Sequence, residues 1–258
     1  MRRIYRNKNA KDKEGLIAKI ERLINVPSVP LVFFFATQDN CNRPSWKESF
    51  DTKYDLQGFY IDRTQDQRIP SPWPDEVQDE LELGSFRKDR CEHFIWISKG
   101  ICEAEDIHFS WLYSHELQHL RQSLNNPYLL IVAKLLEYVK YEIPAIDIPT
   151  EFECEGKAKQ IVDRIFGEEK CISYLNKMKK GSRYNELRYG KLLQLSISPD
   201  FDVEQEIQQA ICANIETLKE IQIQRQNNAC TNWNIDIDKL CSCRNPRDAI
   251  TSAVTKMK

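Results

Sequence analysis

The segment from Asp106 to Asn125 reads DIHFSWLYSHELQHLRQSLN, and it determines how the rest of the chain is interpreted. Asp106 suits the N-cap of a helix, and Asn125-Asn126-Pro127 ends it, because proline disfavours a helical conformation in the residue before it. Apolar side chains occur around most of this helix, which is typical of a helix that is buried. A buried helix that carries histidine and glutamate needs partners for those polar groups, because burying them unpaired is costly.

A His-Glu-x-x-His motif lies in this helix at residues 115–119. Residues four apart share one helix face with Cβ atoms about 5–6 Å apart, so His115 and His119 can bind the same metal ion. Glu116 lies about 100° further around the helix, where its carboxylate can accept a proton from water at an open position of the metal. The motif therefore predicts a hydrolytic zinc site with two histidine ligands and Glu116 as the general base. The alternative is a chance occurrence on a solvated helix, against which the apolar flanks argue.

A third protein ligand is expected downstream, because a catalytic zinc usually has three protein ligands and a water. Gly and His three and six residues after His119 would have identified a third histidine, but Gln122 and Asn125 stand there. A carboxylate is therefore the expected ligand. Glu137 is one candidate, although lysines three residues to either side favour a solvated position for it.

A group of carboxylates begins the next predicted helix, at Glu151, Glu153 and Glu155. Glu151 and Glu155 are four residues apart on one helix face, and the small Cys154 permits close helix packing. One of the two can bind the metal while the other orients a ligand imidazole through its second nitrogen. The alternative is an acidic first turn that only complements the helix dipole.

Together the two segments resemble a known protein family. The His-Glu-x-x-His helix, followed by PTEFECEGKA at residues 149–158, resembles the gluzincin pattern and the small ImmA/IrrE-type metallopeptidases. The resemblance covers about residues 94–166. Cys154 stands where that family usually has alanine, and Glu155 stands where it has Asp or Asn.

The resemblance implies a zincin-like fold in which His115, His119 and Glu151 bind zinc. Glu116 is then the base, and Glu155 lies behind a ligand histidine. Members of the family are compact cytosolic enzymes, many of which cut regulatory proteins. The resemblance therefore implies a protein or peptide substrate.

The composition is that of an ordinary globular protein, since 41% of the 258 residues are hydrophobic and 29% are charged. A net charge of −2 argues against nucleic acid or a membrane surface as a partner. The basic start is not followed by an apolar segment, and no apolar run is long enough to span a bilayer, so we expect a cytoplasmic protein. Nine cysteines at irregular spacings do not suggest a disulfide framework, which fits a reducing compartment.

Periodicity and turn residues predict an α+β protein, with a small N-terminal β-sheet, the helix of the motif and a mainly helical C-terminal half. The predicted strands cover residues 31–36, 58–62 and 93–98. The predicted helices cover about residues 10–25, a short segment ending by Gly84, 106–125, 127–141, 150–167, 203–226 and a short segment after Asn245-Pro246. Thr150 and Glu153 predict a capping box. Residues 143–149 are predicted to be an extended connector, and residues 177–183 a basic linker. We divide the chain into a metallopeptidase core at 1–167 and a helical subdomain at 168–258.

Two other functions stay open. A deformylase-like amidase uses the same motif with a cysteine as third ligand, for which Cys91 or Cys102 could serve, but its glycine-rich substrate motif is absent. A non-catalytic regulatory protein, or a latent enzyme that needs an activating partner, would keep the motif for structure.

Three further features leave alternatives. The strand at 94–97 either pairs with an extended peptide or lies inside the sheet, because both its faces are apolar. The oxyanion donor is open among Tyr113, Tyr128, Tyr138, Tyr141 and His93. A second zinc site could be considered at Cys230, Cys241 and Cys243, but their spacing is not the usual one. We therefore expect these cysteines to be buried thiols.

Overall fold

The computed structural model divides into two compact units, Met1–Leu120 and Arg121–Lys258. It describes residues 2–37, 57–62, 77, 91–139, 144–181, 183–226 and 233–256. The helix predicted to end by Gly84, Tyr141, Cys230 and the side chain of Tyr138 lie outside the described residues. This division into compact units falls within the helix of the motif. The domain boundary predicted at residue 167 lies elsewhere in the chain and stays a prediction.

The described residues of the N-terminal unit form a four-stranded sheet with the strand order β1-β2-β4-β3. The strands are β1 (Arg2–Tyr5), β2 (Leu31–Phe35), β3 (Gly58–Asp62) and β4 (His93–Ile97). Strands β1, β2 and β4 are parallel, and β3 runs antiparallel to β4. The three predicted strands are confirmed. Strand β1 escapes sequence-based prediction because its four residues, RRIY, are mostly polar and find their partner 30 residues later.

Four helices among residues 2–37 and 91–125 accompany this sheet. They are α1 (Lys8–Asp12) and α2 (Glu14–Ile24), which connect β1 to β2, and α3 (Lys99–Glu103) and α4 (Asp106–Asn125), which follow β4. Helix α4 carries the motif and covers the predicted residues, although Asp106, predicted as its N-cap, lies in its first turn.

Helix α4 packs on one face of the sheet through aromatic side chains. Phe109 and Tyr113 are four residues apart, and their rings lie 6.2 and 5.9 Å from the ring of Phe35. The ring of Phe33 lies 5.6 Å from that of Tyr113. Alternate residues of a strand face the same side, so Phe33 and Phe35 present one aromatic face of β2 to α4.

Strand β4 lies between β2 and β3 and is hydrogen-bonded on both sides. An extended peptide cannot pair with it, so the internal-strand alternative for residues 94–97 is correct. In the described part of the chain, the strand at this end of the sheet is β3.

The C-terminal unit is mainly helical. The helices among its described residues are α5 (Leu129–Ala133), a 3₁₀ helix (Lys134–Tyr138), α6 (Pro144–Asp147), α7 (Pro149–Phe166), α8 (Glu168–Met178), α9 (Arg183–Gln194), α10 (Val203–Ala213), α11 (Ile215–Gln226), α12 (Ile237–Ser242) and α13 (Pro246–Ala253). An antiparallel pair joins β5 (Trp233–Ile235) to β6 (Val254–Lys256). The core is aliphatic and includes Leu129, Val132, Ile207, Ile211, Leu240 and Ile250. The predicted α+β class, mostly helical with a small sheet, is confirmed. In neither unit do the described residues contain a helix with the length and hydrophobicity needed to cross a bilayer.

Helix α7 begins earlier than the predicted capping box. Its N-cap is Ile148, which makes no side-chain capping bond, and Pro149 occupies the first turn, where the fixed φ of proline is favourable. Thr150 therefore lies inside the helix and is buried, so the capping-box prediction is wrong. The predicted end is confirmed, because the C-cap is Gly167 with a φ of 90°, which glycine adopts without steric cost.

The basic linker predicted at residues 177–183 is shorter than predicted, because only Lys179, Lys180 and Gly181 of its described residues lie outside a helix. Helix α8 continues to Met178 and α9 begins at Arg183. Cys171, Tyr174 and Leu175 of α8 are buried, and they form the apolar stripe of an amphipathic helix. The surrounding lysines conceal this stripe from a reading based on charge.

Other segments also differ from prediction. The helix predicted at about residues 10–25 is divided into α1 and α2 at Lys13. Helix α6 lies within residues 143–149, which are therefore not an extended connector throughout. The helix predicted at 127–141 is shorter and ends as a 3₁₀ helix, a tightening that is common at helix ends. The helix predicted at 203–226 is divided into α10 and α11 at Asn214.

A disulfide joins Cys212 of α10 to Cys241 of α12, whose Cα atoms are 5.5 Å apart. The prediction that Cys241 is a free thiol is therefore wrong, whereas Cys243 is a free, half-buried cysteine. Gln208 of α10 donates hydrogen bonds to the carbonyls of Leu240 and Cys243, at 2.8 and 2.7 Å. The pairing of α10 with α12 brings together two cysteines that lie 29 residues apart in sequence, which spacing alone does not reveal.

Gly156 of α7 provides a test of packing in the C-terminal unit. A Cβ added there would lie 2.1 Å from Cδ1 of Ile197, so we expect Gly156→Ala to lower the free energy of unfolding by about 1–3 kcal/mol. The matched control is Gly190→Ala in α9, where the nearest atom would be 3.8 Å from the added Cβ. This control should stabilise by about 0.5–1 kcal/mol, because glycine is unfavourable inside a helix.

Urea unfolding of the variants measures both effects. Adding Ile197→Ala to Gly156→Ala should recover part of the loss. Equal stabilities of the Gly156→Ala and Gly190→Ala variants would contradict the assigned contact.

Candidate metal centre

His115 and His119 lie on one face of α4 with converging imidazole rings. Their Nε2 atoms are 3.1 Å apart, and the ring centroids are 4.8 Å apart with an interplanar angle of 77°. Two zinc–nitrogen bonds of about 2.1 Å at a tetrahedral angle would separate the nitrogens by roughly 3.4 Å. The pair therefore suits one metal ion in both spacing and donor chemistry.

The carboxylate of Glu116 lies against strand β3. Its Oε1 atom is 3.2 Å from the position that a Cβ would take on Gly58, and Cδ2 of Leu112, one helical turn earlier, is 3.1 Å from the same position. Glu116 is 5% exposed. Strand β3 thus contacts the predicted general base. The strand pattern in the sequence does not indicate this contact.

Among the described residues, His115, His119 and Cys154 are side chains that together could hold a metal ion. Imidazole and thiolate are both ligands that zinc accepts. This group does not include Glu151, the third ligand predicted from the sequence. The one sequence signal for Cys154 is its place between Glu151 and Glu155, where the resembled family usually has alanine.

Glu151 and Glu155 lie in the first two turns of α7. Glu151 is half-buried and Glu155 is 3% exposed. The Arg188 guanidinium of α9 donates a hydrogen bond of 2.8 Å to the Glu155 carboxylate, and this ion pair offsets part of the cost of burying the charge. The sequence does not indicate this structural role. The predicted roles of Glu151 as a metal ligand and of Glu155 behind a ligand imidazole stay predictions.

Gln122 anchors the last turn of α4 to α7. Its Nε2 atom donates to the Thr150 carbonyl and to the Glu153 carboxylate, both at 2.9 Å. Gln122 is three residues after His119 in the same helix, so the two side chains share one helix face. The hydrogen bonds of Gln122 therefore hold the last turn of α4 against the beginning of α7.

Two of the side chains considered as oxyanion donors are buried and have hydrogen-bond partners in the N-terminal unit. Tyr113 is fully buried, and its hydroxyl donates to Oε1 of Glu21 at 2.7 Å. Arg3 donates to the same oxygen through Nε at 3.2 Å. Burial, and then the charge of Glu21, raise the pKa of Tyr113. His93 is buried with its Nδ1 atom 2.7 Å from the Tyr60 hydroxyl, and burial lowers its pKa.

The cysteines proposed for a deformylase-like site lie in or against the core of the N-terminal unit. Cys102 is fully buried, its sulfur lies 3.8 Å from the Ile97 carbonyl oxygen, and burial raises its pKa to about 12. Cys91 packs against the hydrophobic cluster that includes Phe34 and Phe94. Neither cysteine is in the group of described residues that could hold a metal ion.

Comparison with known proteins gives no relative, because no protein-family model, no curated protein and no solved structure matches this chain. The resemblance to ImmA/IrrE-type metallopeptidases rests on the two sequence segments alone. Membership of that family therefore stays a prediction.

The structural role of Tyr113 is tested by Tyr113→Phe. Removing the hydroxyl leaves the buried Glu21 carboxylate with one donor fewer, so we expect the free energy of unfolding to fall by about 1.5–3 kcal/mol. Any hydrolytic activity per folded molecule should stay within about twofold, because the Tyr113 hydroxyl is engaged in the core. Urea unfolding and an activity assay on the same preparation measure the two quantities.

Tyr5→Phe is the matched control, because the Tyr5 hydroxyl is buried without a hydrogen-bond partner among the described residues. That variant should keep or gain stability. A Tyr113→Phe variant with unchanged stability and strongly reduced activity would restore Tyr113 as an oxyanion donor.

Proposed function

We propose that this protein is a zinc-dependent endopeptidase that hydrolyses a peptide bond of an intracellular protein. The observation that carries the proposal is the convergence of His115 and His119, whose Nε2 atoms are 3.1 Å apart. Glu116 lies on the same helix, as the hydrolytic motif requires of its general base, and it is buried. A zincin-like fold and a cytoplasmic location belong to the same proposal. The antiparallel strand β3 beside Glu116 supports the zincin-like fold. The disulfide argues against the cytoplasmic location, because disulfides are uncommon in a reducing compartment.

Each residue has a separate role in the proposed reaction. His115 and His119 would hold the zinc ion, which when bound acts as a Lewis acid and lowers the pKa of water. Glu116 would accept the proton of the attacking water and pass it to the leaving amine nitrogen. The low exposure of Glu116 favours this transfer, because bulk water does not compete for the proton.

The proposed third ligand is Cys154, because it belongs to the group that could hold a metal ion. Its side chain is fully buried, and a thiol that coordinates a metal is deprotonated. Glu151, which the sequence predicts, is the alternative. The hydrogen bonds from Gln122 to the beginning of α7 support a ligand from this helix in either case.

An extended peptide is the proposed substrate, and β3 is the strand that could pair with it. The Ser98 amide donates to the Gln57 carbonyl at 2.9 Å, so these residues form a hydrogen-bonded pair of the antiparallel ladder. Such pairs alternate along a ladder, so the N–H and C=O groups of Gly58 point away from β4. A peptide added at this edge would run beside Glu116.

A deformylase-like amidase is the second candidate, favoured by the cysteine in the metal-binding group. That cysteine is Cys154, whereas the sequence offered Cys91 or Cys102. The two functions differ in substrate. An endopeptidase cleaves fluorescein-labelled casein, and a deformylase-like amidase releases formate from an N-formylmethionyl peptide.

Zinc content tests the ligands. The purified protein should hold about one zinc ion per chain, and replacing His115 or His119 with Ala should remove it. Cys154→Ser should lose most of the zinc affinity, because the hydroxyl of serine is a poor zinc ligand at neutral pH. Metal analysis after gel filtration measures these changes.

Cobalt substitution separates the two third ligands, because a cobalt-bound thiolate gives a charge-transfer absorption that a carboxylate does not. This absorption should persist in Glu151→Gln and disappear in Cys154→Ser. Cys171→Ser, at another buried cysteine of the C-terminal unit, is the matched control and should keep it. Loss of metal only in Glu151→Gln would assign the carboxylate, and full zinc occupancy of a double His→Ala variant would refute the centre.

Glu116→Gln tests the general base. The amide cannot accept a proton, so we expect this variant to keep its zinc and its fold but to lose at least about 100-fold in kcat. The matched control is Glu137→Gln, at an exposed carboxylate of the 3₁₀ helix, which should cleave as fast as the parent. Cleavage of labelled casein and release of formate are measured for all three proteins. A Glu116→Gln variant as active as the parent would eliminate Glu116 as the base.

A further inference from the structure

Gly58 occupies a position where glycine is locally unfavourable. It is the first residue of β3, and glycine in a strand loses more conformational freedom on folding than alanine does. Among the described residues, the glycines with positive φ are Gly167 and Gly181, so the backbone of Gly58 does not require glycine. The reason for glycine must lie in the space around its Cα.

Three atoms surround the place where a Cβ would be. They are Cδ2 of Leu112 at 3.1 Å, Oε1 of Glu116 at 3.2 Å and the carbonyl oxygen of Trp96 at 3.2 Å. Contacts this short require a neighbour to move by a few tenths of an ångström. The Trp96 oxygen belongs to the backbone of β4, so the side chains of α4 are the groups that can move.

We propose that Gly58 is a positioning residue, whose missing side chain lets the Glu116 carboxylate rest on β3 in the place where it can act as general base. The inference rests on the proposed function, because the position of the Glu116 carboxylate matters for catalysis only if Glu116 is the general base. Leu112 and Glu116 are four residues apart and lie over Gly58 together. The contact therefore sets the carboxylate relative to the imidazoles on the same helix.

The proposal differs from a packing role in what it predicts for catalysis. A displacement of about 1 Å in a catalytic group can cost about 100-fold in rate, so a shift of a few tenths of an ångström should cost roughly 3–30-fold. The histidine ligands lie elsewhere on α4, and the proposed third ligand lies on α7, so zinc binding should be unaffected. A peptide bound by its backbone should be held almost as well, because an alanine keeps the N–H and C=O groups of residue 58.

The first experiment compares Gly58→Ala with the parent and with Gly15→Ala. Gly15 lies in α2, and a Cβ added there would have no atom within 4 Å. With labelled casein as the probe, Gly58→Ala should lower kcat by roughly 3–30-fold, with less than a twofold change in KM and with unchanged zinc content. Gly15→Ala should match the parent. An unchanged kcat in Gly58→Ala, with Glu116→Gln inactive, would overturn the positioning role and leave the proposed function standing.

The second experiment is a double-mutant cycle that does not depend on activity. Gly58→Ala is measured in the parent and in a Glu116→Ala background, where the carboxylate is absent. The contacts with Leu112 and Trp96 are common to both backgrounds, so the difference isolates the contact with Glu116. We expect Gly58→Ala to lower Tm by at least about 2 °C more in the parent than in the Glu116→Ala background.

The outcomes of the two experiments are distinguishable. Equal shifts of Tm in both backgrounds would show that Gly58 does not position Glu116, whatever the activity. A clear difference in Tm in a protein that cleaves neither casein nor a formyl peptide would confirm the contact and reject the proposed function, and with it the catalytic purpose of Gly58.

Discussion

The packing of Phe109 and Tyr113 against the aromatic face of β2 orients helix α4, and the proposed chemistry depends on that orientation. A helix turns by about 100° per residue, so two residues held one turn apart determine the direction of the remaining side chains. Glu116, three residues after Tyr113, is turned towards the sheet, where it meets Gly58 of β3. His115 is about 200° around from Tyr113 and faces away from the sheet. The packing of α4 on β2 thus turns the proposed base towards the sheet and the ligand His115 away from it.

The elements that could be predicted from sequence are those whose signal is local. Helix α4 has distinctive residues at both ends, and β2 and β4 are apolar on both faces, so their positions are evident without tertiary contacts. Strand β1 depends on pairing with β2, and α8 is recognisable only by three buried residues among lysines. The roles predicted for His115, His119 and Glu116 follow from their spacing along one helix. The group with Cys154 and the contact with Gly58 arise from the folded chain, and no spacing rule indicates them.

The identity of the third ligand decides how acidic the proposed zinc centre would be. A thiolate donates more charge to a metal than a carboxylate does, and it selects soft or borderline ions such as zinc over magnesium or calcium. A carboxylate ligand would leave the metal a stronger Lewis acid. Glu155 would not compensate through its charge alone, because it is paired with Arg188.

The disulfide between Cys212 and Cys241 acts mainly on the unfolded chain. It closes a loop of 29 residues, and in the chain-entropy model a loop of this length loses about 3–4 kcal/mol of unfolded-state entropy at room temperature. The stability of the C-terminal unit is then a function of the redox potential of its surroundings. A thiol reductant added to protect Cys154 during metal loading would also release this crosslink, so the two cysteine sites respond to one reagent in opposite senses.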